Sequence, residues 1–211
     1  GGSFEGRMAF STAVVKKIRS ELGSDFLIGL VMTTNNGFGN TLKNEELKKV
    51  LLWHDALGCI DYFSFCLDTI NFPKVEQAIN DLKDFKDLLK NGALRVDGNV
   101  RTLKMAEKLI ENGAGDWIAM TRALIADPFL IQKYENGNQQ AIRPCVQCNF
   151  CIERRARGYT VACLVNPSAG REEKFPTQLS KAKPALNIMV AGGGLAGMEA
   201  SRSAAEAGHR V

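Results

Sequence analysis

Four of the six cysteines in the chain lie in one short segment. Cys145, Cys148 and Cys151 are separated by two residues each, and Cys163 follows after eleven more. Structural zinc sites usually present their thiolates as two separated pairs, whereas a compact triplet with one distant cysteine is typical of an iron–sulfur cube. The spacing therefore predicts that these four cysteines bind a single [4Fe–4S] cluster, with zinc as the alternative metal.

The other two cysteines, Cys59 and Cys66, flank a predicted strand, and we interpret them as core residues. A basic stretch, ERRAR at 153–157, follows the triplet. No aromatic or basic patch elsewhere in the sequence supports nucleic-acid binding. We interpret these cations as a solvated loop that offsets the negative charge of a thiolate-bound cluster.

Three glycines form a second motif, Gly192, Gly194 and Gly197, directly after the apolar stretch LNIMVA. Glycines at this spacing let the backbone approach a pyrophosphate, while the helix that follows points its N-terminus at the phosphates. The pattern is weak alone, and its place between a predicted strand and a predicted helix strengthens it. The acidic residue that would bind the ribose is expected about twenty residues further on, beyond Val211. The motif thus predicts FAD or NAD(P) and leaves the choice open.

The composition is that of a globular protein without a strong charge bias. The 211 residues are 45% hydrophobic and 24% charged, with a net charge of +4. No apolar run reaches the roughly 20 residues that cross a bilayer, and no signal peptide is visible. We therefore expect a cytoplasmic protein in a reducing compartment, where clustered cysteines bind metal. Neither nucleic acid nor a membrane is an expected partner.

The elements that must position these motifs follow a regular order. After a helix at 10–22, short apolar strands alternate with helices, which predicts an α/β fold with a parallel sheet. Periodicity alone does not decide between a doubly wound sheet and part of an eight-stranded barrel. The predicted strands are 26–32, 59–65, 93–96 and 116–120, the predicted helices are 42–57, 73–90, 102–113 and 127–137, and a further strand is predicted at 186–191.

Four stretches occur in this order: GGSFEGRMAF, GNVRTLKMAEKLIENGAGDWIAMTRALIADPFL, RPCVQCNFC…CLVNP and VAGGGLAGMEA. Together they resemble the iron–sulfur flavoenzymes of the old yellow enzyme superfamily, which include 2,4-dienoyl-CoA reductase and trimethylamine dehydrogenase. The resemblance covers nearly the whole chain. It implies the second half of an FMN-binding TIM (β/α)8 barrel at 1–140, an iron–sulfur segment with a polar linker at 141–183, and the start of a Rossmann-like FAD- or NAD(P)-binding domain at 184–211.

The resemblance also implies where FMN would bind. Barrel active sites lie at the C-terminal ends of the strands, and phosphates often bind the loops after strands seven and eight. In this chain those loops are DGNVRT and AMTRAL. The backbone amides of Gly98, Asn99, Thr121 and Arg122 are the candidates for the FMN phosphate, with Arg122 also supplying charge.

The sequence departs from the family pattern at three positions. Val31 and Asn99 stand where Arg is usual, and Gly6 stands where Asn is usual. In the family, the arginine at the position of Val31 stabilises negative charge at the pyrimidine end of the flavin. The stretch after 59–65 has no histidine to match the proton donor of dienoyl-CoA reductases, and we nominate no catalytic acid.

The resemblance implies a redox flavoenzyme that passes electrons through the cluster between FMN and a second redox site. The expected activity is that of an enoate or dienoyl-CoA reductase or an amine dehydrogenase, with a small-molecule substrate. An electron-transfer protein and a second copy of the chain are further expected partners. The alternative is a zinc-binding interaction module fused to an α/β domain. From its ends we expect the chain to be a fragment that is inactive alone and self-associates through open barrel edges.

Overall fold

The structure, a computed structural model, describes residues 2–33, 42–66 and 79–211. The chain divides into two compact units, Gly1–Val146 and Gln147–Val211.

A four-stranded parallel sheet forms the centre of the first unit, with the strands side by side in chain order. The strands are β1 (Gly29–Thr33), β2 (Tyr62–Cys66), β3 (Ala93–Asp97) and β4 (Trp117–Ala119), and the helices are α1 (Phe4–Leu22), α2 (Asn44–Asp55), α3 (Ile79–Leu88), α4 (Leu103–Glu111), α5 (Thr121–Ala126) and α6 (Leu130–Glu135). A short 3-10 helix follows at Gln139–Ala141. The predicted α/β fold with a parallel sheet is confirmed. The first part of the helix predicted at 73–90 lies outside the described residues.

Alternate residues along each strand divide the sheet into two faces. One face is the hydrophobic core, where Phe63 and Phe65 of β2 and Leu94 and Val96 of β3 are fully buried. Apolar side chains of α2, α3 and α4 complete this core. The opposite face, called the polar face below, carries the alternate residues of the four strands: Val31, Tyr62, Ser64, Arg95, Asp97 and Trp117.

Charged side chains hold the N-terminal edge of the sheet together. Arg19 donates to the carbonyl oxygen of Cys59 at 2.8 Å and to the carboxylate of Asp61 at 2.7 Å. The same carboxylate accepts from the backbone N–H of Ile28 at 2.6 Å. This N–H, followed by the Arg19 guanidinium, lowers the pKa of Asp61 below its usual range. The arrangement fixes the start of β2 against the segment before β1.

A buried carboxylate organises the end of the first unit. Asp127 is 2% exposed and accepts from Lys133 Nζ at 2.6 Å, from the backbone N–H of Arg143 at 2.9 Å and from that of Phe129 at 3.1 Å. Burial alone would raise the pKa of Asp127, but the Lys133 ammonium and the two N–H donors outweigh it and lower the pKa. The contacts join α5, α6 and the segment that leads to the cysteines.

We expect Asp127→Asn to lower the free energy of unfolding by about 3 kcal/mol, because it leaves a partly buried ammonium without its carboxylate. In the parent protein this stabilisation should be full above the unfolded pKa of about 4 and be lost as the pH falls through the lower folded pKa. Urea unfolding at several pH values, followed by circular dichroism, measures both effects. The matched control Asp87→Asn, on an exposed position of α3, should change stability by less than about 0.5 kcal/mol. Equal stability of Asp127→Asn and the parent at neutral pH would contradict the assignment.

The second unit contains α7 (Phe150–Ala156) and α8 (Leu195–Glu206). Its extended segment before α8 pairs with the chain after α8 through one parallel bridge, Asn187 with Arg210. The backbone N–H of Ile188 donates to the carbonyl of Arg210 at 2.7 Å, and that of Arg210 donates to the carbonyl of Leu186 at 2.9 Å. The strand predicted at 186–191 is thus represented by a single bridge in the structure.

Candidate functional site

The carboxyl ends of the four parallel strands meet at one edge of the sheet. In register, Thr33 pairs with Cys66, Cys66 with Asp97, and Asp97 with Ala119. This edge is where barrels and open α/β sheets place their ligands. Residues 34–41 and 67–78, which follow β1 and β2, lie outside the described residues, so the loops after β3 and β4 define the site.

The loop after β3 makes a tight turn before α4. Gly98 has φ 130° and Asn99 has φ 47°, so two successive residues have positive φ. Only glycine adopts such values freely, and asparagine tolerates the left-handed region better than most residues. Thr102 then caps α4 by accepting from the backbone N–H of Met105 at 3.2 Å. The turn holds the backbone of 98–101 at the C-terminal edge.

The loop after β4 contacts this turn directly. α5 begins at Thr121, two residues after β4 ends, and its N-cap Met120 provides no side-chain cap. Arg122 donates from its guanidinium to the side-chain oxygen of Asn99 at 3.0 Å. The structure therefore brings two of the predicted phosphate residues, Asn99 and Arg122, into contact, with Gly98 and Thr121 beside them in the chain. Their role in binding phosphate stays a prediction.

Arg101, in the same loop, was missed by the sequence reasoning. Within the described part of the chain, its Nε is a buried nitrogen that has no hydrogen-bond partner. A buried N–H without an acceptor costs free energy, and such groups in folded proteins call for an explanation. An anionic ligand at this loop would supply the missing acceptor. The residues present thus fit a phosphate group. The signal in the sequence that could have indicated Arg101 is the cation within the stretch VRT.

A second missed cation lies on the polar face. Arg95, in the middle of β3, donates from Nε to the hydroxyl of Ser64 on β2 at 3.0 Å. Its guanidinium lies over the ring of Tyr62, 5.5 Å from the centroid, and 3.7 Å from the carboxylate of Asp97. Its side chain is 30% exposed, whereas Ser64 is fully buried. The sequence predicts 93–96 as a buried apolar strand, and that pattern assigns this arginine no role.

The cysteines of the predicted cluster fall on both sides of the boundary between the units. Cys145 lies near the end of the first unit, and Cys148, Cys151 and Cys163 belong to the second, with Cys151 in the first turn of α7. All six cysteines are described, and none forms a disulfide. No group of three or more His, Cys, Asp or Glu within residues 2–33, 42–66 and 79–211 is gathered as around a metal ion. The structure does not bring the four thiols together, so the cluster rests on their type and spacing.

The backbone between these cysteines is unusually bent. Gln147 and Asn149 have φ 57° and 56°, and they lie on either side of Cys148. Left-handed conformations are costly for residues other than glycine, so two of them within three residues mark a constrained turn. The exposed Cys148 lies at the centre of this turn.

The glycine motif surrounds the start of α8. Gly192 has φ 116°, and Gly194 is the N-cap of the helix, without a side-chain cap. A Cβ at Gly192, Gly193 or Gly194 would meet no atom within 4 Å, so open space lies before the helix N-terminus. A Cβ at Gly197 would instead overlap the carbonyl oxygen of Gly192. The motif therefore combines an open approach to the helix with close contact between the helix and its turn.

Three further residues have structural positions. His54 is 1% exposed, and its ring nitrogens lie 2.8 Å from the Ser11 hydroxyl and 2.8 Å from the Val50 carbonyl, so it joins α2 to α1. Cys59 packs against the core, as predicted. Cys66 is half-buried and is the last residue of β2, and its role in the core stays a prediction. None of the helices in the described part of the chain is long and apolar enough to cross a membrane.

Comparison with known proteins gives consistent results. The model of the NADH:flavin oxidoreductase / NADH oxidase family matches residues 1–141. N,N-dimethylglycine/sarcosine dehydrogenase of Chromohalobacter salexigens is 34% identical, with 100% of this chain and 32% of that protein covered. NADH oxidase of Thermoanaerobacter brockii is 32% identical, with 100% and 34% covered. The structure of 2-naphthoyl-CoA reductase with 2-naphthoyl-CoA matches 99% of this chain and 33% of its own at 29% identity, with a TM-score of 0.84. The chain thus spans about a third of the length of these relatives.

Proposed function

Because the chain belongs to the NADH:flavin oxidoreductase / NADH oxidase family, we propose that this protein is a flavin-dependent oxidoreductase that binds FMN at the C-terminal edge of the sheet. The observation that carries the proposal is the contact between Arg122 and Asn99, which joins the loops after β3 and β4. The buried Nε of Arg101 adds an N–H donor in the same loop. Backbone turns with positive φ and two nearby guanidinium groups suit a phosphate monoester.

We propose further that the first unit belongs to a TIM barrel, of which residues 1–140 form the second half. The strand order follows the chain without the reversal that marks a doubly wound sheet. The polar face supports the same view, because Val31 and Trp117 are 63% and 47% exposed although they lie in strands of the central sheet. In a closed barrel, such residues fill the interior.

The proposed electron path uses the two motifs that follow. Cys145, Cys148, Cys151 and Cys163 supply the four thiolates that a [4Fe–4S] cluster requires, and the donor chemistry fits iron and sulfide. When bound, the cluster would carry single electrons. The open glycine turn at 192–197, with the N-terminus of α8 behind it, would hold the pyrophosphate of FAD or NAD(P). In this proposal the iron–sulfur segment and its linker comprise residues 141–183, and the start of the dinucleotide-binding domain comprises residues 184–211.

We propose two substrate classes, in line with the names of the relatives. The comparisons include a dehydrogenase of dimethylglycine and sarcosine and a reductase of an aryl-CoA thioester. The flavin would accept a hydride from a secondary or tertiary amine in the first class and donate one to a conjugated double bond in the second. This chain's own residues would orient the flavin for either reaction. An electron-transfer protein and a homo-oligomer are proposed partners.

Arg122→Gln tests the phosphate site. We expect it to weaken FMN binding by about tenfold to a hundredfold, because a charge-assisted contact to phosphate is lost. Riboflavin, which lacks the phosphate, should bind the variant and the parent equally. Titration of each flavin into the flavin-free protein, followed by quenching of flavin fluorescence, measures both affinities.

Lys104→Gln, at an exposed position of α4, removes the same charge outside the site and should leave both affinities unchanged. Equal losses for riboflavin and FMN in Arg122→Gln would place Arg122 outside the phosphate site. A parent protein that binds neither flavin would contradict the proposed function itself.

A further inference from the structure

We infer that Arg95 is a flavin-binding residue that supplies positive charge to the N1–C2=O end of the FMN ring. The inference rests on the proposed function, because it assumes that FMN lies at the C-terminal edge. It starts from a charged side chain at a place where a parallel sheet usually has an apolar one. Strands of such sheets are near-continuous apolar runs when both faces are covered.

The surroundings of Arg95 hold its guanidinium in one orientation. Its Nε donates to the Ser64 hydroxyl at 3.0 Å, and its Cζ lies over the Tyr62 ring, 5.5 Å from the centroid. Trp117 packs against Tyr62 on the same face of the sheet, with ring centroids 5.3 Å apart, and so helps to hold that ring in place. A cation held in place before a ligand arrives pays little ordering cost on binding.

One terminal nitrogen of the guanidinium lies near the last residue of β3. This nitrogen is 3.7 Å from the carboxylate of that residue, Asp97. At this distance the pair lacks the short, two-point geometry of a strong arginine–carboxylate bond. The ion pair therefore leaves the cation available to a second acceptor at the same edge.

The row of residues across the sheet shows where that acceptor has room. Val31, Ser64 and Arg95 are consecutive partners in register on β1, β2 and β3. Val31 is apolar, short and 63% exposed. Because adjacent strands are about 4.8 Å apart, a guanidinium that reaches Ser64 already leans toward β1. The positive charge of Arg95 can therefore stabilise an acceptor that binds beside Val31.

Of the groups that FMN presents, the pyrimidine end is the one that gains negative charge when the ring is reduced. A fixed cation near N1 is one of the protein's means of tuning the flavin. The phosphate has its own candidates in Asn99 and Arg122, which lie in the loops beyond the strand ends. Arg95 lies within β3, two residues before its end, and this places it with the ring rather than with the phosphate.

The test is the midpoint potential of the flavin bound to the protein. Arg95→Gln should lower the equilibrium constant for two-electron reduction of the flavin by about tenfold or more. This corresponds to a fall of about 30 mV in the midpoint potential. Arg95→Lys should retain most of the parent potential, since it keeps the charge. Val31→Arg combined with Arg95→Gln should restore it, because an arginine in the same row also reaches Ser64.

Lys104→Gln is the matched loss of charge at an exposed position and should leave the potential unchanged. If Arg95→Gln does not fold, Ser64→Ala, which removes the hydroxyl that orients Arg95, should shift the potential in the same direction by less. A flavin-loaded Arg95→Gln or Ser64→Ala with the parent potential would overturn this inference and leave the proposed function standing. A shift of equal size in Lys104→Gln would overturn it as well. A parent protein that holds no flavin would overturn both.

Discussion

If the proposed [4Fe–4S] cluster is bound as its cysteine spacing predicts, the Cys148→Ser variant is expected to hold far less iron and sulfide than the parent protein and to lack the brown colour of such a cluster. A serine hydroxyl stays protonated at neutral pH and is a hard donor, so it replaces a thiolate poorly on a cluster iron. Cys148 is exposed, so the loss should not come from a damaged core. Iron and sulfide analysis after anaerobic purification, with the visible absorption spectrum, measures the effect.

The same loss is expected for Cys145→Ser, Cys151→Ser and Cys163→Ser, because a four-cysteine cluster has no spare ligand. Cys59→Ser is the matched control, since Cys59 packs against the core and lies far from the others in sequence. It should retain the full iron content. Full iron in any of the four ligand variants would contradict the assignment. Stoichiometric zinc without iron in the parent protein would favour the interaction module instead.

The sheet could be predicted because its strands carry a strong local signal. β2 and β3 bury Phe63, Phe65, Leu94 and Val96, and such apolar runs bounded by polar residues are read correctly from sequence. The ends of the elements were predicted less well. α1 begins at Phe4, where Ser3 caps it, rather than at residue 10. Residues 4–9 include a glycine and show too little apolar periodicity to predict that the helix starts before residue 10.

The region after β4 shows a similar limit. A single helix was predicted at 127–137, and the structure has α5 at Thr121–Ala126 and α6 at Leu130–Glu135. Pro128 lacks an N–H and separates the two helices. α5 has only six residues, which is too short to show a 3.6-residue period. The sequence therefore predicts a loop directly after β4, where the structure has the short helix α5.

The site itself could be predicted only as loops and residue types. The contact between Asn99 and Arg122 joins residues 23 apart in sequence, and nothing local encodes it. Arg95 was not predicted because a strand is recognised by its apolar residues, and a partly buried cation within one is an exception to that pattern. The cysteine spacing predicts a cluster, but the structure does not bring the four thiols together. The geometry of the cluster therefore stays a prediction.

Gly194→Val is expected to weaken binding of FAD or NAD(P) by about a hundredfold or more, which is about 3 kcal/mol. Gly194 has φ −74° and ψ 177°, a conformation that valine adopts without strain, and a Cβ there meets nothing within 4 Å. The second unit should therefore fold as before. The valine side chain would fill the open space before α8 that a pyrophosphate needs. Cofactor content after gel filtration and titration calorimetry with each dinucleotide measure the loss.

Gly197→Ala should have the same functional effect for a different reason. Its Cβ would overlap the carbonyl oxygen of Gly192, so α8 must move away from its turn, and the thermal unfolding temperature should fall as well. Comparison of the two variants thus distinguishes loss of binding through a blocked site, in Gly194→Val, from loss through disturbed packing, in Gly197→Ala. Ala205→Val, at an exposed position in the last turn of α8, is the control and should bind the dinucleotide normally. In all three variants FMN and iron should be retained. Full dinucleotide retention by a folded Gly194→Val would show that the space before α8 holds no phosphate, and the glycines would then serve only the close packing of helix and turn.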